Sequence, residues 1–163
     1  VHLNEIVQSY SIGAIPFSPV ELSILRRASQ LLGRCLDRQK LKSPQEVQSY
    51  LQCKLAGLEF EVFGALWLDA QFCLLADEVL FRGSISQTAV YPREVVKHAL
   101  RLNASAVILY HNHPSMSPEP SQADQSLTGR LSQALDLVGV RVSDHFVVSG
   151  NGEIVSFAQR GLI

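Results

Sequence analysis

The sequence predicts an α/β domain with a mixed β-sheet flanked by helices, preceded by a short helical segment. Apolar residues recur at helical spacing in the first part of the chain, and the period changes to that of strands from Leu58. Further along, a short apolar run lies between two segments of helical period, an alternation typical of α/β folds. We therefore divide the 163 residues into an N-terminal helical segment, residues 1–57, and a domain of residues 58–163.

Two capping signals begin the helices of the first segment. Residues 1–17 have no clear period and predict no element. Ser18-Pro19-Val20-Glu21 and Ser43-Pro44-Gln45-Glu46 both place a serine before a proline, with a glutamate three residues after the serine. This is the pattern of a capping box with proline at the first helical position. Apolar residues follow both signals at helical spacing as far as Gly57, so we expect two helices.

A hairpin and a third helix come next. Two runs with strand character, Phe60 to Asp69 and Phe72 to Phe81, are joined through Asp69-Ala70-Gln71 and predict two antiparallel strands. Pro92 begins a helix, and Asn103 is placed to end it. We expect one face of this helix to be buried: Val95, Val96, Ala99 and Leu100.

The run Ala104 to Leu109 is apolar on both faces and predicts a central, buried strand. That strand would carry His111 and His113 at its carboxyl end. Open α/β sheets place their functional sites at such ends. The central strand therefore directs attention to these two histidines.

A fourth helix and a closing hairpin complete the domain. Ser121 caps the helix and Gly139 ends it. Arg141 to Ser149 and Glu153 to Phe157 predict two strands joined by a glycine-rich turn. We expect the helix to turn these residues inward: Leu127, Leu131, Ala134, Leu135 and Val138.

Composition and charge exclude several classes of protein. The 14 basic residues are spread along a chain of formal net charge −1, so no strong nucleic-acid binding is expected. No apolar stretch approaches the roughly 20 residues of a membrane span, and no signal segment opens the chain, so we expect a cytoplasmic protein without a membrane partner. The three cysteines fit buried thiols in a reducing compartment better than a disulfide framework or a cysteine-based zinc site. Oligomeric state is not predicted.

The residues with metal-binding chemistry follow the central strand. His111 and His113 are two apart in an extended segment and project to the same side. Asp124, at the start of the fourth helix, can fold back as a third ligand. Two histidines and one carboxylate can bind zinc and leave a fourth position open to water, as in catalytic sites. The pattern therefore predicts a metal hydrolase with Zn²⁺ as cofactor.

Each of these residues also has a purely structural interpretation. A histidine at a strand end can serve only as a hydrogen-bonded structural residue, and Ser121-x-x-Asp124 can be only a helix N-cap. His145, in the last long strand, is assigned either a supporting role at the site or a structural hydrogen bond. We expect His2 and His98 to be solvated surface residues and Trp67 to lie in the core. For the ligand candidates, the combined pattern favours the metal site.

The combined pattern resembles a known family signature. His111-Asn112-His113, seven further residues and Ser121-Gln122-Ala123-Asp124 match the JAMM (MPN+) metalloprotease motif, His-x-His, seven residues and Ser-x-x-Asp, without a gap. The closer resemblance is to the RadC-like JAB branch and covers about residues 58–163. Met116 stands where that branch usually has glycine, and methionine would strain the loop if the position needed a positive φ. Stretches outside the motif also resemble the branch: Glu61-Val62-Phe63, Leu68-Asp69, Phe81-Arg82-Gly83, Tyr91-Pro92-Arg93-Glu94, Asp144-His145-Phe146-Val147 and Ser156-Phe157-Ala158.

The resemblance implies a fold, a reaction and a role for each site residue. The implied fold is the JAMM/MPN type, a cytidine-deaminase-like mixed sheet flanked by helices. The implied activity is that of a zinc-dependent peptidase or isopeptidase that uses a metal-bound water on a peptide or an isopeptide-linked protein. His111, His113 and Asp124 would bind the Zn²⁺. Glu61 would carry the proton, and Ser121 would stabilise the oxyanion.

Spacing alone does not choose the proton carrier. Glu59 and Glu61 are two apart, and if both lie in the strand they face the same way. The resemblance selects Glu61, because it directly precedes the run Val62-Phe63 as the family's glutamate does, and because it would lie further into the sheet.

Two other functions compete with this one, and the residues argue against both. The RadC-like name suggests a non-catalytic or DNA-repair-associated accessory module, although a complete ligand set is not needed for that role. A zinc nucleoside deaminase would need His-x-Glu and a later Pro-Cys-x-x-Cys, which the chain lacks. The helix-hairpin-helix segment of longer RadC-like proteins is not apparent, so the chain resembles the short form of the family.

Overall fold

The computed structural model describes residues 17–36, 43–83 and 90–163. Within these ranges the chain forms four helices and five strands. The expected α/β class with a mixed sheet is confirmed. Residues 1–16, including His2, lie outside the described ranges. The elements are α1 (Pro19–Leu36), α2 (Pro44–Leu55), β1 (Val62–Leu68), β2 (Leu74–Arg82), α3 (Pro92–Arg101), β3 (Ala106–His113), α4 (Gln122–Asp136), β4 (Arg141–Ser149) and β5 (Ile154–Ser156).

The five strands form one sheet in the order β2-β1-β3-β4-β5. β3 and β4 are parallel and are connected through α4, whereas all other neighbours are antiparallel. β3 is central, and seven of its eight residues are buried. This confirms the prediction from the apolar run, because a strand covered on both faces has no need of polar alternation.

Helices cover both faces of the sheet and create two cores. α2 packs on one face and α1 packs on α2, while α3 and α4 cover the other face. α2 thus contributes to the main domain core, with buried Val47, Tyr50, Leu51 and Leu55. The division of the chain at residue 57 stays a prediction. No helix among the described residues has the length and apolarity to cross a membrane.

The capping signals work as expected at the starts of α1 and α2. The Ser18 amide donates to Glu21 Oε2 at 2.6 Å, and the Glu21 amide donates to Ser18 Oγ at 3.3 Å. At α2, Ser43 Oγ accepts from the Glu46 amide at 3.4 Å. These bonds satisfy amide groups that have no partner within the helix.

Two predicted core positions are wrong. Leu100 is 58 % exposed, because the buried stripe of α3 is formed by Val95 and Ala99 and the next residue is rotated away from it. Val138 is 38 % exposed, because α4 ends at Asp136 before reaching it. The predicted helix end at Asn103 is confirmed by its left-handed φ of 51°.

The expected solvated state of His98 is also wrong. Its side chain is half-buried, and its Nδ1 lies 2.8 Å from Glu78 Oε2. Trp67 is fully buried, as predicted, and its indole nitrogen donates to the same Glu78 oxygen at 3.0 Å. One carboxylate on β2 therefore joins α3 to the sheet.

A buried polar cluster on the other face depends on a glycine in β1. Tyr110 on β3 extends its ring across Gly64 and donates its hydroxyl to Asp77 Oδ1 on β2 at 2.6 Å. Lys54 of α2 donates to the same carboxylate at 2.5 Å, and Tyr50 donates to it as well. A Cβ at Gly64 would collide with the Tyr110 ring. The glycine therefore makes room for a contact that ties α2 to β2 and β3.

Gly64→Ala should lower the free energy of unfolding by about 1–3 kcal/mol, because the fully buried Tyr110 ring has to move. Gly129→Ala is the matched control, since a Cβ there meets nothing within 4 Å in α4. That control should raise stability by about 0.5–1 kcal/mol. Urea denaturation of both variants measures the difference. If Gly64→Ala is as stable as wild type, the Tyr110 ring can move without a cost in stability, and the contact does not require the glycine.

Candidate metal centre

The strand register brings three chain segments together at one edge of the sheet. β1 and β3 are antiparallel with Phe63 opposite His111. Continuing this register by two residues sets Glu61 opposite His113. The start of α4, which follows β3, lies at the same edge. The carboxyl end of β3 thus meets both the segment before β1 and the first turn of α4.

Glu59 and Glu61 both precede β1, so the condition under which they would share a face of that strand is not met. β1 begins at Val62, whose amide bonds to the Asn112 side chain of β3, and backbone pairing with β3 begins only at Phe63. Glu61 is half-buried, whereas Glu59 is exposed. The negative charge of Glu61 favours the protonated form of both histidines, although burial lowers the pKa of His111 overall and the hydrogen bond to Asp124 is the main cause that raises the pKa of His113. The continued register and this charge effect both favour Glu61 over Glu59 as the carboxylate near the histidine pair.

Asn112, the middle residue of His-x-His, holds the backbone on both sides of Glu61. Its Oδ1 accepts from the Val62 amide at 2.8 Å, and its Nδ2 donates to the Phe60 carbonyl at 3.0 Å. The side chain is buried, so these bonds replace water. No pattern in the sequence indicates this role of Asn112, since an asparagine between two histidines gives no sign of the strand it contacts.

The first turn of α4 presents Asp124 through a capping box. Ser121 Oγ accepts from the Asp124 amide at 3.1 Å. In return, the Ser121 amide and hydroxyl donate to Asp124 Oδ2 at 2.8 and 2.6 Å. Asp124 is buried, whereas Ser121 is exposed. The N-cap interpretation of this pair is therefore correct, and the same bonds orient the carboxylate toward the histidines.

The three predicted ligands converge. His111 Nε2 lies 3.0 Å from His113 Nε2 and 3.4 Å from Asp124 Oδ1, and His113 Nε2 lies 3.4 Å from Asp124 Oδ2. Among the described residues these three side chains form a group that could hold a metal ion. A tetrahedral ion with ligands at about 2.0–2.2 Å needs ligand atoms about 3.3 Å from one another. The spacing of the three side chains fits this requirement.

Hydrogen bonds at the Nδ1 atoms of His111 and His113 indicate that the Nε2 atoms of both rings carry the free lone pairs. His113 Nδ1 lies 3.3 Å from the Ser117 carbonyl, which can only accept, so this nitrogen carries the proton. His111 Nδ1 lies 2.8 Å from His145 Nε2. Two Nε2 lone pairs cannot face each other at 3.0 Å without a cation between them. The donor set therefore suits a proton or a metal ion.

The charges at the site agree with this geometry. Burial lowers the pKa of His111, so this imidazole favours its neutral, ligating form. Hydrogen bonding to Asp124 raises the pKa of His113. Burial opposes the charged form of Asp124, but its hydrogen bonds with the two histidines outweigh this and hold its pKa well below the usual range. The site thus pairs a permanent carboxylate with two imidazoles.

His145 contacts a predicted ligand directly. It is fully buried, with Nε2 at His111 and Nδ1 2.6 Å from Thr128 Oγ1. The Thr128 hydroxyl also lies 2.6 Å from the Asp124 carbonyl oxygen. No prediction from the sequence included Thr128. Its position four residues after Asp124 was the available signal, because threonine in a helix can bond to the carbonyl one turn earlier.

The loop between β3 and α4 is anchored by the turn after β4. The Gly150 amide donates to the Ser115 carbonyl at 2.8 Å, and a Cβ at Gly150 would lie 2.5 Å from the Pro114 carbonyl oxygen. Met116 is exposed and is not among the described residues with positive φ. Methionine therefore causes no backbone strain where the RadC-like branch usually has glycine.

Fold and site together define an α/β domain with a His-His-Asp group at the carboxyl edge of its parallel strand pair. Residues 41–162 match the RadC-like JAB domain. This match covers most of the chain, and the chain belongs to the RadC-like JAB domain family. The expected family is thereby confirmed, and the mixed sheet with its helices is the JAB/MPN-type fold.

Relatives in several bacteria carry the name UPF0758 protein, which states no activity. A relative in Methylibium petroleiphilum is 56% identical over 142 residues, covering 87% of this chain and 63% of that protein. One in Dechloromonas aromatica is 48% identical over 161 residues, covering 99% of this chain and 71% of the relative. One in Vibrio cholerae is 52% identical over 142 residues, covering 86% of this chain and 63% of the relative. Because the chain spans 63% of the first of these proteins, its identity as a short form stays a prediction.

Proposed function

We propose that this chain is a zinc-dependent metallohydrolase, a peptidase or isopeptidase of the JAMM type. The observation that carries the proposal is the convergence of His111 Nε2, His113 Nε2 and an Asp124 carboxylate oxygen. Two imidazoles and one carboxylate suit Zn²⁺ and leave a coordination position for water. A bound zinc ion would acidify that water and polarise the carbonyl of the scissile bond.

Glu61 is proposed as the proton carrier. The attacking water forms a bond to the carbonyl carbon, the carbon–nitrogen bond breaks, and the water's proton goes to the leaving amine through Glu61. Support comes from the β1–β3 register, which if continued past Phe63 sets half-buried Glu61 opposite His113. The two hydrogen bonds of the Asn112 side chain fix the backbone on both sides of Glu61. General acid/base catalysis requires such a fixed geometry.

Ser121 is proposed to stabilise the oxyanion. Its hydroxyl is exposed at the N-terminus of α4, where positive backbone dipoles also favour negative charge. In this structure the hydroxyl donates to Asp124 Oδ2 at 2.6 Å. It therefore has to turn from the carboxylate toward the substrate as charge develops on the carbonyl oxygen.

A screen of peptide and isopeptide-linked substrates tests the proposed reaction. Zinc-loaded protein should cleave at least one class of substrate, and a chelator should stop the cleavage. Zinc added back after removal of the chelator should restore it. Cleavage that survives chelation, or that requires iron in place of zinc, would contradict the proposal.

The accessory-module alternative predicts DNA binding, which we expect to be weak. The 14 basic and 15 acidic residues give no excess of positive charge, so few phosphates can be neutralised. Fluorescence anisotropy with a labelled duplex at roughly physiological salt should show no tight binding. Sub-micromolar affinity with a steep salt dependence would favour the accessory module instead.

We further propose a cytoplasmic location, since Cys53 and Cys73 are free thiols.

A further inference from the structure

A chain of hydrogen bonds links two of the proposed ligands through two residues that are not themselves proposed ligands. It runs from His111 Nδ1 to His145 Nε2, and from His145 Nδ1 to Thr128 Oγ1. It ends at the Asp124 carbonyl oxygen, 2.6 Å from Thr128 Oγ1. His111, His145 and Thr128 are at most 1% exposed, so water does not compete for these bonds. The path joins a ligand on β3 to a ligand on α4.

The chemistry of the last acceptor sets the direction of every bond. A carbonyl oxygen can only accept, so Thr128 donates its single hydroxyl proton to Asp124. Thr128 Oγ1 must then accept from His145 Nδ1–H, which leaves His145 Nε2 with its lone pair. That lone pair accepts from His111 Nδ1–H. The proton of His111 is thereby placed on Nδ1, and its Nε2 is free to ligate.

We propose that Thr128 and His145 are positioning residues that hold His111 in the tautomer and orientation needed for metal binding. The inference rests on the proposed function only in taking His111 as a ligand. Ligating histidines usually donate their other ring nitrogen to a carboxylate, carbonyl or water. Here the acceptor is a neutral imidazole, whose own tautomer is set by a threonine. The helix that supplies Asp124 therefore also fixes the tautomer of His111.

The backbone of β4 is shaped so that His145 reaches this position. Val107 pairs with Val142, whereas Ile108 pairs with Asp144, so Ser143 is an extra residue in β4. Such a bulge reverses the alternation of the side chains that follow it. His145 consequently lies on the same side as Val142 and faces His111. Without the bulge its side chain would point to the opposite face.

Aromatic rings hold the His145 imidazole in place. The Phe157 ring stacks on it with a centroid distance of 4.6 Å, and the Phe63 ring meets it edge to face at 5.7 Å. A residue needed only to fill space here could be aromatic and apolar. Substituting phenylalanine for His145 therefore separates packing from hydrogen bonding.

Thr128→Val tests the inference with a nearly unchanged shape, and Thr128→Ser is its matched control. Each protein is stripped of metal, and its zinc affinity is measured by competition with a chromophoric chelator. Thr128→Val should bind zinc about 10–100-fold more weakly than wild type, the usual effect of losing a partner of a ligand. Thr128→Ser keeps the hydroxyl and should stay within a few-fold of wild type. His145→Phe should lose as much affinity as Thr128→Val.

Nuclear magnetic resonance of ¹⁵N-histidine-labelled, zinc-loaded protein supplies a readout that packing alone would not move. Wild type should show His111 protonated at Nδ1 and coordinated through Nε2. If wild type binds zinc tightly and both Thr128→Val and His145→Phe bind it equally well, the positioning role is overturned and the proposed function stands. If wild type binds no zinc, the proposed function fails first, and the positioning role fails with it.

Discussion

Replacing His113 by alanine should remove most of the bound zinc and leave the fold largely intact. His113 is the last residue of β3, and its side chain is 19% exposed, so alanine opens no large cavity in either core. The loss of a direct ligand should weaken zinc binding by more than the roughly 10–100-fold expected when a residue that only hydrogen-bonds to a ligand is lost. Elemental analysis after dialysis measures the metal, and circular dichroism measures the fold.

His98→Ala is the control for this experiment. His98 lies on α3 and binds Glu78, so its loss should leave the zinc content unchanged. A His113→Ala protein that still carries one zinc per chain would contradict the assignment of His113 as a ligand. Substoichiometric zinc in reconstituted wild type would contradict the site as a whole.

Glu61→Gln should retain zinc and lose turnover by at least about 10²-fold, the effect typical of losing a general acid/base. Glutamine has nearly the same shape, so the backbone held by Asn112 should not move, but the amide cannot take a proton. The measurement is kcat on a substrate identified by the cleavage screen, together with zinc content.

Glu59→Gln is the matched control, because Glu59 lies two residues away and is exposed. It should stay near wild type in both zinc content and turnover. A dead Glu59 variant beside an active Glu61 variant would show that the proton carrier has been assigned to the wrong residue.

Much of the fold could be predicted because local signals and tertiary structure agree. The apolar run before His111 is a central strand because both faces of β3 are covered by helices. Ser18 and Ser43 mark helix starts because capping satisfies local backbone groups. The grouping of His111, His113 and Asp124 was also accessible, since it depends on strand alternation and on the first turn of the next helix.

Other features could not be predicted because they depend on contacts between distant segments. Simple alternation along β4 sets His145 on the face opposite Val142, and only the bulge at Ser143 reverses this. Asn112 contacts a segment about fifty residues earlier, and no local pattern reports that contact. The end of the β1–β3 pairing at Phe63 has the same origin, because side-chain bonds from Asn112 take the place of backbone pairing before it.

X-ray absorption at the zinc edge of reconstituted wild-type protein tests the central claim most directly. The account predicts one zinc per chain with only nitrogen and oxygen ligands, at about 2.0–2.2 Å, including the scattering pattern of two imidazoles. This signal should disappear in His113→Ala. Sulfur ligands at about 2.3 Å, which would come from cysteines such as Cys53 or Cys73, would contradict the His111, His113 and Asp124 site.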